Sequence, residues 1–180
     1  MKRLLTPVCA CLAAVAIAAV PAASAKSSAS TSKKFSAADE QYLKTSIQGD
    51  LFEIIGGKWA QHHTKNAAVL RLANRLVTDH TKSLKDAADL AHSLGIDVPK
   101  SPTPSEVWEL KMVRALHGRA YNHWYSSLEV YDHIQDIQEA SDEVNDGTNK
   151  QIRGDAVTEL PTLRIHLRLA RKALAANPKP

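Results

Sequence analysis

Three histidines occupy equivalent positions on three different segments of this chain. His80, His133 and His166 each have apolar side chains three or four residues away, a spacing that predicts the inward face of an amphipathic helix. Imidazole nitrogen is a good ligand for several first-row transition metals, and the helices of a bundle can bring such ligands together. The pattern therefore predicts a centre to which three helices each contribute one imidazole.

A fourth candidate ligand, Glu53, lies on a stripe of small residues rather than leucines. The other members of that stripe are Gly49, Asp50, Gly56, Gly57 and Ala60. Glycine inside a helix costs about 1 kcal/mol relative to alanine, so we expect these glycines to allow close approach of a neighbouring helix or a ligand. That approach would bring the Glu53 carboxylate into the centre, where Asp79 and Glu129 are expected to orient the histidines through hydrogen bonds.

Several functions remain open for this set of residues. Glu53, His80, His133 and His166 could bind one transition-metal ion of iron, copper, zinc or manganese. Alternatively, they could form a hydrogen-bonded network that only fixes helix register, in a non-catalytic or stress-related envelope protein whose surface docks a partner. A third alternative is a redox enzyme, such as a peroxide-scavenging protein with a single iron.

The sequence gives little support to other kinds of enzyme. A di-iron oxidase of the ferritin type needs Glu-x-x-His on two helices, but the residues three positions before the histidines are Val77, Val130 and Leu163. We find no phosphate-binding glycine loop and no serine in a nucleophile motif. No catalytic residue and no organic cofactor is predicted.

Four long helices are needed to position these residues, and the periodicity predicts them over 37–63, 67–94, 119–144 and 149–176. An extended loop over 95–105, which contains three prolines, and a short helix over 106–117 are expected before the third of them. Ser36, Asn66 and Ser105 are the expected N-caps, Gly95 ends the second helix, and Pro161 should kink the last. The predicted fold class is an all-α four-helix bundle over 36–176, with an extra short helix before the third long helix.

The N-terminal residues indicate export. Lys2 and Arg3 precede an apolar run from Leu4 to Val20, and Ala23-Ser24-Ala25 fits the small-residue cleavage pattern of a signal peptide. We therefore expect a signal peptide over 1–25, a disordered linker over 26–35 and a short tail over 177–180. A membrane anchor is less favoured, because Pro7 and Pro21 interrupt the run and no stop-transfer flank follows.

Cysteine usage and charge restrict the chemistry and the partners. Both cysteines, Cys9 and Cys11, lie in the expected leader, so the mature protein should contain no disulfide and no thiolate ligand. The chain has 23 basic and 19 acidic residues, and removing Lys2 and Arg3 leaves a net charge of only +2. This charge does not favour a nucleic-acid partner or an anionic membrane. A protein partner in the cell envelope stays open, and the oligomeric state is not specified.

Four motifs give the chain a family resemblance. Glu53 to Ala60 fits Glu-x-x-x-Gly-x-x-Ala, Asp79 and His80 form an Asp-His pair, and two tyrosines, Tyr121 and Tyr125, precede His133. The fourth motif, Leu-Pro-x-Leu-x-x-His-Leu, covers 160–167. On these motifs the chain resembles domain of unknown function 4142, a bacterial family of exported, ferritin-like proteins often labelled outer-membrane proteins. The family usually has Asp where this chain has Asn122.

The resemblance covers about 35–176 and implies a ferritin-like four-helix bundle in the cell envelope, with no established reaction. A mature chain without a long apolar span is not expected to insert into the membrane. We therefore expect the protein in the periplasm or peripherally associated with the outer membrane.

Overall fold

The computed structural model of the protein describes residues 34–180 and is all-helical. The expected signal peptide and most of the expected linker lie outside the described residues. The helices are α1 (Ala37–His63), α2 (Ala67–Leu94), α3 (Pro104–Arg114), α4 (Gly118–Asp146) and α5 (Lys150–Ala175). The prediction of an all-α fold with four long helices, and a short one before the third, is confirmed. Within residues 34–180, no helix combines the length and apolar character that crossing a membrane requires.

Local sequence signals fix most of the helix ends. Ser36 and Asp39 form a reciprocal capping box at the start of α1, and the Asn66 side chain accepts hydrogen bonds from the first turn of α2. Gly95 ends α2 in the left-handed region, with φ of 72°, which costs glycine little because it has no Cβ. These predicted caps are confirmed.

Two predictions about local structure need correction. The N-cap of α3 is Thr103 rather than Ser105, and Pro104 is already helical. The expected loop over 95–105 therefore ends before Pro104, because proline suits a first helical position, where the N–H it lacks would have no intrahelical partner. The short helix also ends at Arg114, three residues before His117. The last helix continues on both sides of Pro161.

The long helices pack as two antiparallel pairs. The short connections 64–66 and 147–149 join α1 to α2 and α4 to α5, and these two pairs make the most extensive helix contacts. The pairs meet where α2 packs on α5 and α1 packs on α4, while α3 covers α1 and α4 at one end. Each long helix therefore faces two other long helices across a shared interior.

The shared interior is apolar at both ends and polar in the middle. One apolar cluster includes Leu72, Leu76 and Tyr125, and the other includes Leu43, Ile47 and Ile152. Between them α1 buries Asp50 and Glu53, α2 buries His80, α4 buries Glu129 and His133, and α5 buries His166. Buried ionisable groups are costly unless they are paired or hydrogen-bonded, so this polar layer requires an explanation other than packing.

Two glycines of the α1 stripe lie in close helix contacts, as the sequence predicted. A Cβ placed on Gly57 would come within 2.7 Å of Cγ2 of Val77 and 3.1 Å of the backbone oxygen of Ala73. A Cβ on Gly56 would come within 3.1 Å of Leu110. The approach of α2 to α1 therefore depends on Gly57.

We expect Gly57→Ala to lower the free energy of unfolding by about 1–3 kcal/mol, because the added methyl group would overpack against a stiff β-branched side chain. Gly154 of α5 provides the control, since a Cβ there meets no atom within 4 Å. Gly154→Ala should leave stability unchanged or raise it by up to about 1 kcal/mol. Urea unfolding of both variants measures the difference. Equal effects would contradict the packing argument.

Candidate metal centre

His80, His133 and His166 meet in the polar layer of the bundle. They come from α2, α4 and α5, and the three residues are at most 5% exposed. The ring centroids of His80 and His166 are 4.9 Å apart, and that of His133 lies 5.2 Å from His166 and 5.9 Å from His80. One nitrogen from each ring lies within 4.8 Å of the others. The three predicted imidazoles are therefore neighbours.

One nitrogen of each ring is held by an oxygen atom. Nδ1 of His133 donates to the backbone oxygen of Glu129 at 2.9 Å, and Nε2 of His166 bonds to Oδ2 of Asp79 at 2.8 Å. Nδ1 of His80 and Oδ1 of Asp50 are 2.7 Å apart. Bonds of this kind orient a metal-binding imidazole and direct its other nitrogen at the ion.

The other nitrogen of each ring has no hydrogen-bond partner among the described residues. These atoms are Nε2 of His80, Nε2 of His133 and Nδ1 of His166, and all three are buried. A buried nitrogen without a partner costs about 1–3 kcal/mol. A cation bound to all three of these nitrogens would remove that cost.

The environment keeps these imidazoles neutral. Burial lowers the pKa of His80 and of His166 to about 4, and that of His133 well below its usual range. Burial acts to raise the pKa of Asp79, but hydrogen bonds from Arg75 and His166 hold it below its usual value. At neutral pH the imidazoles are therefore neutral, which is the form that binds metal, and the Asp79 carboxylate beside His166 is ionised.

Glu53 lies beside His133, but it faces the nitrogen that is already bonded. Its Oε1 is 3.6 Å from Nδ1 of His133, and Oε2 of Glu129 is 3.9 Å from the same atom. Burial, followed by the charges of Glu129 and Asp132, raises the pKa of Glu53 well above its usual range. Glu53 thus groups with Asp132, Asp136 and His133, and one ligand atom of each lies within 4.8 Å of the others.

A cavity of about 240 Å³ borders the histidine cluster. His80 and His166 line it together with seven acids: Asp50, Asp79, Asp86, Asp136, Glu139, Asp155 and Glu159. Its lysine, Lys82, pairs with Asp86. Burial and the neighbouring acids raise the pKa of Asp155 to about 7. Acids outnumber bases in the lining and repel one another, and a cation would relieve that repulsion, so the cavity favours cations over anions.

The comparison with protein families agrees with the sequence motifs. The family model described as Domain of unknown function (DUF4142) matches residues 24–173. The chain belongs to this family. No curated protein and no solved structure matches it. All four motifs that carried the resemblance lie inside the matched range, so the buried histidines lie within the domain that defines the family.

The structure assigns different roles to the acids that were expected to orient histidines in this DUF4142 chain. The Asp79 carboxylate bonds to His166 on another helix, whereas Glu129 holds His133 with its backbone oxygen rather than its side chain. Asp50, which holds His80, was not among the predicted site residues. Its position on the glycine stripe, three residues before Glu53, was the available signal.

Asn122, which departs from the motif expected from the family resemblance, lies outside the histidine cluster. Its Oδ1 accepts a hydrogen bond from the hydroxyl of Thr64 at 2.5 Å, and Thr64 is the C-cap of α1. The backbone oxygen of Asn122 accepts from Ser126 one turn later. In this chain the residue connects the end of α1 to the start of α4, so the departure from the family pattern leaves the histidines untouched.

Proposed function

We propose that this protein binds one divalent transition-metal ion through His80, His133 and His166, as a non-catalytic metal-binding bundle. The observation that supports this most is the set of three buried ring nitrogens without partners, each on a ring that an oxygen holds by its other nitrogen. A hydrogen-bonded structural network would be expected to satisfy these atoms from within the protein.

The donor set favours ions that bind imidazole. Three neutral nitrogens suit Zn²⁺ or Cu²⁺ and, less strongly, Fe²⁺ or Mn²⁺, whereas Mg²⁺ and Ca²⁺ prefer oxygen. Three protein ligands leave a coordination position open. The acidic cavity beside His80 and His166 gives a cation a favourable path to the cluster.

The proposal includes export of the protein. The Lys2-Arg3 start, the apolar run and the Ala23-Ser24-Ala25 pattern support a signal peptide. The family resemblance supports a location in the periplasm or at the outer membrane. We propose no reaction, because none of the described acids is arranged with a recognisable substrate site.

Cobalt titration provides a direct test of the ligands. Co²⁺ bound to three imidazoles in a site of low coordination number should give visible absorption bands that saturate at one ion per chain, and excess Zn²⁺ should remove them. We expect His133→Gln to abolish the bands, because this variant removes a ligand whose other nitrogen bonds only to the backbone.

His92→Gln is the matched control, because it makes the same substitution at an exposed position of α2. It should bind Co²⁺ like the parent. Absence of Co²⁺ bands in the parent, or bands that persist in the His133→Gln variant, would reject the proposed ligand set.

A further inference from the structure

A second group of ionisable residues lies between α1 and α4 and is richer in oxygen than the histidine cluster. Glu53 of α1 faces Asp132 and Asp136 of α4, with one oxygen of each within 4.8 Å of the others and of one nitrogen of His133. Glu129 borders the group, because its Oε2 lies 3.9 Å from Nδ1 of His133. This acidic group contains chemistry that the proposed imidazole site does not use.

Glu53 is buried with only other acids as partners. Its side chain is 0% exposed, and neither Oε1 nor Oε2 has a geometrically satisfied hydrogen bond. The carboxyl groups of Glu129 and Asp132 are close enough to share a proton with it, but they bring no positive charge. Oδ2 of Asp132 is likewise buried without a partner. Within residues 34–180, no lysine or arginine forms an ion pair with these acids. Asp132 and Asp136 are half-buried beside the fully buried Glu53. Adjacent carboxyl groups in such a place require either protons or a cation to neutralise them.

Two glycines of α1 lie opposite these acids. A Cβ on Gly56 would lie 3.8 Å from Oε1 of Glu129, and one on Gly49 would lie 4.0 Å from Oδ1 of Asp136. A methyl group at either position would therefore be in ordinary van der Waals contact with an α4 carboxylate. α1 and α4 face each other on both sides of Glu53, which brings oxygens from two helices together.

We propose that Glu53, Asp132 and Asp136 bind a second divalent cation, of the class that prefers oxygen ligands, beside the transition-metal ion of the histidine cluster. Carboxylate oxygens suit Mn²⁺, Mg²⁺ and Ca²⁺ better than the ions that three imidazoles favour. His133 separates the two sites, with its unpartnered Nε2 in the histidine cluster and its Nδ1 3.6 Å from Glu53.

The second site has a path for the ion. Asp136 is a member of the acidic group and also lines the cavity that borders His80 and His166. A cation in the cavity therefore meets a ligand of the second site without crossing the apolar clusters. The two sites would fill from one cavity but select different ions by ligand chemistry.

Manganese binding tests this proposal in the intact protein. The parent is first loaded with Zn²⁺, which gives no electron paramagnetic resonance signal, and Mn²⁺ is then titrated while the six-line signal of free Mn²⁺ is followed. We expect one Mn²⁺ per chain. Glu53→Gln and Asp136→Asn should each weaken Mn²⁺ binding at least about tenfold, equivalent to about 1.4 kcal/mol, whereas Asp142→Asn, an exposed position on the same helix, should not.

The second test uses the His80→Gln and His166→Gln double variant, which lacks the histidine cluster but keeps every acid. It should still bind one Mn²⁺, so failure of the imidazole site would not remove the signal. Absence of Mn²⁺ binding in both proteins would overturn the proposal. Mn²⁺ binding that Asp136→Asn leaves unchanged would also overturn it. If the Glu53→Gln variant then melts at a higher temperature than the parent at pH 8, protons rather than a cation neutralise the acids.

Discussion

Saturating Zn²⁺ should raise the melting temperature of the metal-free protein by about 10 °C or more. An ion that binds the folded state at a thousand times its Kd stabilises it by about 4 kcal/mol, and each kcal/mol corresponds to about 2–4 °C in a domain of this size. His80→Gln, His133→Gln and His166→Gln should each remove most of the increase. Differential scanning calorimetry with and without Zn²⁺ measures it.

Two features make this result informative. His92→Gln should keep the full increase, because His92 is exposed and remote from the cluster in sequence. The histidine variants should also melt at or above the temperature of the metal-free parent if the unpartnered nitrogens destabilise it. An equal Zn²⁺ effect in the parent and the His166→Gln variant would show that the ion binds elsewhere.

The stability of the metal-free protein should fall as the pH rises from 6.5 to 8.5. Burial raises the pKa of Asp155 to about 7 and that of Glu129 to about 8. A group whose pKa is raised by folding stabilises the folded state below its unfolded pKa, near 4, and loses that contribution as pH rises through the folded value. The histidines, whose pKa values are lowered, lose their contribution only as pH falls from about 6.5 to 4.

Above pH 6.5 the change in stability therefore comes from the buried carboxyl groups and not from the histidines. Melting temperature measured from pH 6.5 to 8.5 reports the contribution of these carboxyl groups. Asp155→Asn should reduce the slope, because its amide cannot ionise, whereas the exposed Asp142→Asn should leave it unchanged. Zn²⁺ should reduce the fall, since a cation stabilises the ionised acids beside it. A melting temperature independent of pH over this range would mean that the buried acids are not protonated in the folded protein.

Periodicity in the sequence was sufficient to predict the helices and the inward direction of three histidines. His80, His133 and His166 lie among apolar neighbours at helical spacing, so each local pattern already indicates which face is buried. The caps at Ser36, Asn66 and Gly95 are similarly local. Thr103 was missed because the residue after it, Pro104, was interpreted as the end of a loop rather than the first residue of a helix.

The partners of the histidines could not be predicted in the same way. Whether Asp79 meets His166 or Glu53 meets the bonded nitrogen of His133 depends on how helices rotate and translate against one another. Those adjustments come from tertiary packing, including the contact of Gly57 with Val77. Asp132 and Asp136 were not among the predicted site residues for the same reason, since their closeness to Glu53 arises only when α4 packs on α1.

The most direct measurement is the metal content of the mature protein. Residues 26–180, purified from periplasm without a histidine tag, are analysed by elemental mass spectrometry beside a variant that carries His80→Ala, His133→Ala and His166→Ala. We expect close to one transition-metal ion per chain in the parent and almost none in a folded variant. No transition metal in the parent, or equal amounts in both proteins, would contradict it and leave the histidines as part of the core.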